Sequence, residues 1–340
     1  MRLSTGIRIT LWASLLLLAI VSLRWMTAMP GSSASDSLPA ASELELTLAQ
    51  ELEADVRALA EEIGERNMHR PGTLDQAADW LEERLRAIGH EPQRQPYELS
   101  GAGMARYAGE TADNLVVEIP GESRPDEIVV VGAHYDTVPG SPGANDNASA
   151  VAVLLALAEH FRDKPQARTL RFVAFVNEEP PFYMTSDMGS HAHARKSREA
   201  GDNIIAMMSM DGLGFFSDQP GSQHYPAPGI GLAYPDTASF IGFVTRLRDG
   251  RLLRKALGAF REEASIPSEG AAMPGFIPGV GWSDHWSFWQ QGYPAFLVTD
   301  SLPFRDPHYH RSSDTPDRLD YERMARVTVG LKAVVRTLAE

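Results

Sequence analysis

A single α/β domain built on a mostly parallel sheet is the fold this sequence predicts. Strand-like apolar runs alternate with helical periods from about residue 114 onward, which is the mark of an α/β sheet. Acidic or histidine residues stand just past several of those runs: His134, Glu178-Glu179 and Asp211. In open α/β sheets the lip beyond the strand ends is where sites form. The length of 340 residues suits one large domain, and 43% hydrophobic with 22% charged residues is ordinary for a packed core.

The N-terminus stands apart. Arg2 and Arg8 precede an apolar run from Ile9 to Leu23, and Arg24 follows. Fifteen apolar-leaning residues suit a signal h-region, whereas a span needs about 20. Extension through Trp25 to Ala28 makes a short anchor, so residues 1–28 read as a signal-anchor or a cleaved signal. Either way the basic flank stays inside and the remainder is exported. The expected locations are outside the cytoplasm on a membrane anchor, or secreted or periplasmic, with membrane contact only through this segment. Residues 29–42, rich in Ser, Ala and Pro, read as a flexible linker, leaving 43–340 as the catalytic domain.

From Glu43 the positions Leu52, Val56, Leu59 and Ile63 share a helical face, and Pro71-Gly72 ends it. Thr73 and Gln76 have capping-box spacing before a second helix through Ile88. Extended segments follow near 93–99 and 114–119, then a strand ending at His134. A Pro/Gly-rich loop carries Gly143-Ala144-Asn145-Asp146-Asn147 into an apolar helix, 148–161. Strands at 169–176 and 204–210 end in Asn177-Glu178-Glu179 and Asp211-Gly212, and a helix begins between them near Met188. Residues 236–264 read as helix interrupted at Gly250, and 267–281 as a long loop. Ser283-Asp284-His285 opens a short aromatic helix; a strand at 294–299, a loop through His310 and an amphipathic helix close the chain.

The formal charge of −14 excludes nucleic acid as the main partner. No cysteine is present, so a metal must be held by His, Asp and Glu. Singly, each motif is ordinary: His134-Tyr135-Asp136 is a histidine with its orienting acid, and Asp211-Gly212 is a turn. Together, carboxylates and imidazoles at neighbouring strand ends repel unless cations neutralise them. Imidazole plus carboxylate without thiolate suits zinc in a hydrolytic site.

In this order, His134-Tyr135-Asp136, Gly143 to Ser149, Asn177-Glu178-Glu179, Met210-Asp211-Gly212, Ser283-Asp284-His285 and Tyr309-His310, the chain resembles the co-catalytic zinc aminopeptidases, metallopeptidase family twenty-eight. The resemblance runs from about Asn114 to the C-terminus. It implies a twisted mixed sheet sandwiched between helices and two zinc ions per chain. It assigns His134 and Asp211 to one zinc, Glu179 and His310 to the other, and Asp146 as the bridge. It makes Glu178 the general base and Tyr309 the donor to the scissile carbonyl, with Asp136 orienting His134 and Asp284 and His285 in the surrounding shell. It also implies a cis peptide between Asp146 and Asn147. The substrate it implies is a peptide with a free N-terminus.

The segment Pro180-Pro181-Phe182-Tyr183 departs from the family's usual aromatic-glycine turn and reshapes the pocket wall. Phe215, Phe216 and the 267–281 loop are candidates to line an apolar pocket; His191, His193 and His308 are read as surface or supporting residues. Three alternatives stay open. A glutaminyl cyclase shares the fold but works with one zinc. A carboxypeptidase/deacylase-type metallohydrolase also has His-x-Asp followed by Glu-Glu, but usually inserts a dimerisation domain between later ligands, and Asp211 and His310 are only 99 positions apart. A catalytically dead ectodomain would lack ligands, and none is missing.

Overall fold

The computed structural model describes residues 5–70 and 72–340. Arg2 and Pro71, read above as part of the basic flank and as a helix break, lie outside them. The strands are β1 (Gln93–Glu98), β2 (Thr111–Ile119), β3 (Arg124–His134), β4 (Arg168–Phe175), β5 (Asn203–Met210), β6 (Ile241–Arg246), β7 (Ser268–Met273) and β8 (Ala295–Thr299). They form one sheet in the order β1-β2-β4-β3-β5-β8-β6-β7. The inner strands β4, β3, β5 and β8 run parallel, β1, β2 and β6 join antiparallel, and β7 pairs parallel with β6. The domain is therefore a mixed α/β sandwich, as the motif order led us to expect.

The helices are α1 (Thr5–Thr27), α2 (Glu43–Arg57), α3 (Thr73–Ala87), α4 (Ala150–Phe161), α5 (Gly189–Ala200), α6 (Gly250–Glu263), α7 (His285–Gln290) and α8 (Tyr321–Ala339). Strand alternation sorts the side chains between two faces. Val129 and Val131 of β3 join α2, α3, α4, α6 and α8 in the larger core, while Ile128 and Val130 face α5 and α7. β3 and α4 are apolar on nearly every side because both are buried by neighbours, which is what a central parallel strand and its crossover helix require.

Three local expectations are corrected. Residues 236–264 are not one interrupted helix: 241–246 is β6, and Gly250 starts α6. Ile241 and Phe243 enter the large core while Val244 faces the other side, a period of two that the following helical period conceals. The 267–281 loop contains β7, whose Ser-Glu-Gly-Ala-Ala-Met sequence has little strand propensity and is held by pairing with β6. The Thr73–Gln76 capping box does not form, because the helix starts one residue early with Gly72 as its N-cap. A complete box caps α2 instead, where Ser42 Oγ accepts from Glu45 N and Glu45 Oε2 accepts from Ser42 N.

The 29–42 segment, expected as a free tether, lies along the body. Arg261 donates to the Pro30 carbonyl (2.9 Å), Ser33 Oγ accepts from Ser268 N (2.8 Å), and Asp36 accepts from Ser239 Oγ (2.8 Å). The fully buried Arg326 of α8 donates to the Pro39 carbonyl at 2.7 Å and also to Ser265 and Glu322. The segment's polar side chains, which made it look like a linker, help to tie it down together with its Pro30 and Pro39 carbonyls. Among the described residues, no helix is long and apolar enough to cross a membrane.

Arg326→Met removes charged donors worth about 1.5–3 kcal/mol each. Limited proteolysis reads how often the strap opens. Cleavage within 29–42 should accelerate about tenfold or more while the remainder stays resistant. Unchanged cleavage would mean that Arg326 does not hold the strap.

Candidate metal centre

β3 delivers His134 at its C-terminal end, and the chain turns at once through Tyr135 and Asp136. His134 Nδ1 lies 3.2 Å from the Asp136 carbonyl oxygen and 3.5 Å from its Oδ1, which turns Nε2 toward the cleft. The Asp136 carboxylate also accepts from Glu178 N (3.0 Å) and Glu179 N (3.1 Å). One acid thus fixes the histidine on β3 and the two glutamates after β4. Gly143, at φ +63°, turns the chain into the Asp146 loop, and a Cβ there would fall 2.3 Å from Thr137. The Asp146–Asn147 peptide is cis, as the resemblance implies.

β5 delivers Asp211, and His310 projects from the loop after β8 with φ +58°, an uncommon backbone state for a residue with a side chain. The approaches fall into two groups. Asp146 Oδ1 lies 3.3 Å and Asp211 Oδ1 3.4 Å from His134 Nε2. Asp146 Oδ2 lies 3.1 Å and Glu179 Oε2 3.2 Å from His310 Nε2. His134, Asp146 and Glu179 place ligand-type atoms within 4.8 Å of one another. Glu178 is buried beside them, its Oε2 4.0 Å from His134 Nε2.

Charge is concentrated here. Burial pushes Glu178 well above the carboxylate range; His134 pulls it back, and Glu179 and Asp211 push it further up. Burial also raises Glu179 to about 8, with Asp146 adding to the rise. Burial opposes a charge on His310, yet Asp146 and Glu179 lift it to about 10. Burial likewise opposes a charge on His134, and Asp211, Asp136 and Asp146 overcome it. Burial of the acids and their crowding thus favour the protonated forms of Glu178, Glu179, His134 and His310 when no cation is bound. Glu179 Oε1, Asp211 Oδ1 and His310 Nε2 are buried without any hydrogen-bond partner. Bare oxygens and an imidazole nitrogen converging on one space fit zinc, whose hydrolytic sites use this donor set.

Asp284 is buried, with both oxygens unpartnered, and burial raises it to about 7 while His134 pulls it down. Its neighbour His285 is not among the groups around the ligands. Its Nε2 meets the Val280 carbonyl at 2.8 Å, and its ring stands edge-on to Trp289. His285 therefore braces the cavity wall, which corrects its expected place. His193 is buried against Phe175 and Phe288 with Nδ1 on Gln95, and His308 pairs with Ser313.

Several supports escaped the sequence reading. Arg66 is fully buried and binds carbonyls rather than acids: Leu59, Gly64, Tyr135, Pro142 and Gly143, at 2.7–3.0 Å. It fastens both ends of the loop between His134 and Asp146. Asp314 accepts from Asn145 N (2.7 Å) and Asp146 N (3.1 Å), while the Asn145 amide donates to Asp300 (2.9 Å) and Asp306 (3.0 Å). Asn147 bonds Met210 O and Gly212 N, tying the Asp146 loop to the Asp211 turn. These residues sit in irregular segments, where no periodicity marks them.

A cavity of about 330 Å³ opens from the cluster. Tyr309, Tyr183, Tyr225, Tyr234, Trp282 and Phe304 are among its walls. Tyr183, from the departing Pro180–Tyr183 segment, brings a buried hydroxyl with no partner. The 277–280 part of the former loop lines the cavity as expected, but Phe215 and Phe216 do not; Phe216 packs on the large core, and Phe215 lies against His308.

Comparison with known proteins bears on the family and the fold. The chain is 31% identical over 331 residues to the uncharacterized protein YfbL of Escherichia coli K12, covering 95% of each. It is 28% identical over 280 residues to a probable leucine aminopeptidase 1 of Trichophyton verrucosum, covering 75% of this chain and 66% of the relative. Its fold matches a zinc aminopeptidase from Bacillus subtilis with TM-score 0.65 at 15% identity, over 84% and 94% of the two chains. It also matches a glutaminyl cyclase from Bacteroides thetaiotaomicron with TM-score 0.63 at 17% identity, over 88% and 99%. A family model, Peptidase family M28, matches residues 114–335, more than half of the chain. The chain belongs to peptidase family M28.

Proposed function

We propose that this protein is an aminopeptidase that holds two zinc ions and removes N-terminal residues from peptides. The observation that carries the reading is Asp146, which offers one oxygen toward His134 and the other toward His310. His134 and Asp211 would hold one ion, Glu179 and His310 the other, and Asp146 both. Bound there, a zinc pair lowers the pKa of water and polarises the substrate carbonyl.

The chain's own groups do the rest. Glu178 stands next to the ligands without belonging to either group, so its carboxylate is free to move protons. It takes a proton from the attacking water as oxygen bonds to the carbonyl carbon. It then gives that proton to the amide nitrogen as the C–N bond breaks. Tyr309, stacked on His310 at 3.7 Å, donates a hydrogen bond from its hydroxyl to the carbonyl oxygen. Asp136 keeps His134 oriented and the Glu178–Glu179 backbone in place. The acidic cleft favours a free α-ammonium on the substrate. Export of the chain, resting on the apolar run behind basic residues, is part of the same proposal.

Glu178→Gln should keep both metals by elemental analysis and lose kcat by about 10²–10⁴-fold. Loss of metal instead would exchange the two glutamate roles. Glu179→Ala and His310→Ala should each bind about one ion fewer per chain, as expected for residues in a paired-metal site; full occupancy in both would overturn the ligand assignment. Mass spectrometry of free-amine, N-acetylated and N-terminal glutamine peptides should show stepwise loss of first residues from free amines only, abolished by chelator. Equal cleavage of acetylated peptides would refute the free-amine requirement. Loss of ammonia from glutamine peptides without cleavage would make the protein a cyclase.

A further inference from the structure

The floor of the cavity is a patch of sheet whose register says what lies beside what. β8, β6 and β7 align Thr299 with Gly242 and Gly242 with Glu269; one step along, Leu297 aligns with Val244 and Val244 with Ala271. Residues in register project from the same face. All six line the cavity. From Thr299, next to the Asp300 and His310 loop, the floor runs across a glycine to a carboxylate two strand spacings away, about 9.5 Å.

Gly242 matters here because it puts no side chain between Thr299 and Glu269. Val244, Ala271 and Leu297 make the adjoining strip apolar. Tyr225 and Tyr234 stack beside it with ring centroids 5.8 Å apart. Both hydroxyls are committed elsewhere, Tyr225 to the Pro235 carbonyl and Tyr234 to the Gly270 carbonyl. Burial raises the pKa of the Glu269 carboxylate, and among the described residues Arg261 and Asp36 act on it only through space. Arg261 spends its nitrogens on Ser268 and the Pro30–Gly31 carbonyls. An unpaired carboxylate at the far end of an apolar trough is a poor design for a leucine side chain.

We propose that this trough receives the side chain of the substrate's first residue and selects a long unbranched stem ending in a cation, lysine above all, with Glu269 as its counter-ion. The proposal rests on the aminopeptidase reading and specifies its substrate. The four-carbon stem of lysine packs on Val244, Ala271 and Leu297 while its ammonium reaches past Gly242 to the carboxylate. A neutral side chain of the same length leaves that carboxylate unpaired, and unpaired charge is what discriminates. Arginine fits by the same logic, its planar head lying along the tyrosine pair.

The test compares kcat/KM of the zinc-loaded full chain on lysyl, arginyl, norleucyl and leucyl p-nitroanilides. Norleucine is lysine without its ammonium. The wild type should favour lysine over norleucine by about tenfold or more, and Glu269→Gln should lower that ratio by about 10- to 100-fold, the scale of a half-buried ion pair. Added salt should lower the wild-type ratio. Norleucine or leucine cleaved as well as lysine by the wild type would overturn the proposal and leave the aminopeptidase standing. A ratio untouched by Glu269→Gln would overturn it too. No hydrolysis of any of the four would overturn both readings.

Discussion

Mutual repulsion among buried carboxylates is the constraint this structure is built to contain. Asp146, Glu178, Glu179 and Asp211 crowd one lip of the sheet, and Asp136 and Asp284 are buried behind them. Such a cluster is unstable without countercharge, and the fold supplies it sparingly. The acids around the ligands are met by backbone N–H groups: Asp136 by Glu178 and Glu179, Asp314 by Asn145 and Asp146, and Asp300 by Phe215 and Leu302. Arg66, the cation buried nearest the loop, spends its donors on carbonyls. Glu179 Oε1 and Asp211 Oδ1 are left without a partner, which suits them to a cation.

The residues that the structure gathers at the lip carry a physical mark in the sequence. A buried parallel strand is a continuous apolar run, so the residue where polarity resumes marks the strand's end; His134, Glu178-Glu179 and Asp211 all stand there. Asp146 and His310 were legible only by their likeness to a family, since each lies in a loop. β6 was hidden because its alternation over six residues runs into the stronger helical period of α6. β7 was hidden because its stability comes from pairing, which no local property records. Arg66, Asp306 and Asp314 carry no signal at all: their roles consist of bonds to groups far away in sequence, backbone for Arg66 and Asp314 and the Asn145 side-chain amide for Asp306. The N-terminal strap misled because small polar residues look the same whether they dangle or dock.

The strap and the cavity are connected. Ser33 and Asp36 reach the start of β7 and the residue before Phe240, so the segment that follows α1 lies against the outermost strand of the cavity floor. Met29 packs over Gly270 on the opposite side of β7 from Glu269. An edge strand of weak propensity is thus stiffened from behind by chain that precedes the domain.

The sheet also divides the protein's work. The proposed ligands His134, Asp146, Glu179 and Asp211 follow β3, β4 and β5 and His310 follows β8, whereas the trough belongs to β8, β6 and β7. In the proposed reading, replacing the side chain opposite Gly242, or the acid at 269, would alter what the site admits without disturbing the charge balance of the carboxylate cluster. On that reading, first-residue choice and chemistry meet only at β8, so substitutions on β6 and β7 would change the first while leaving the second intact.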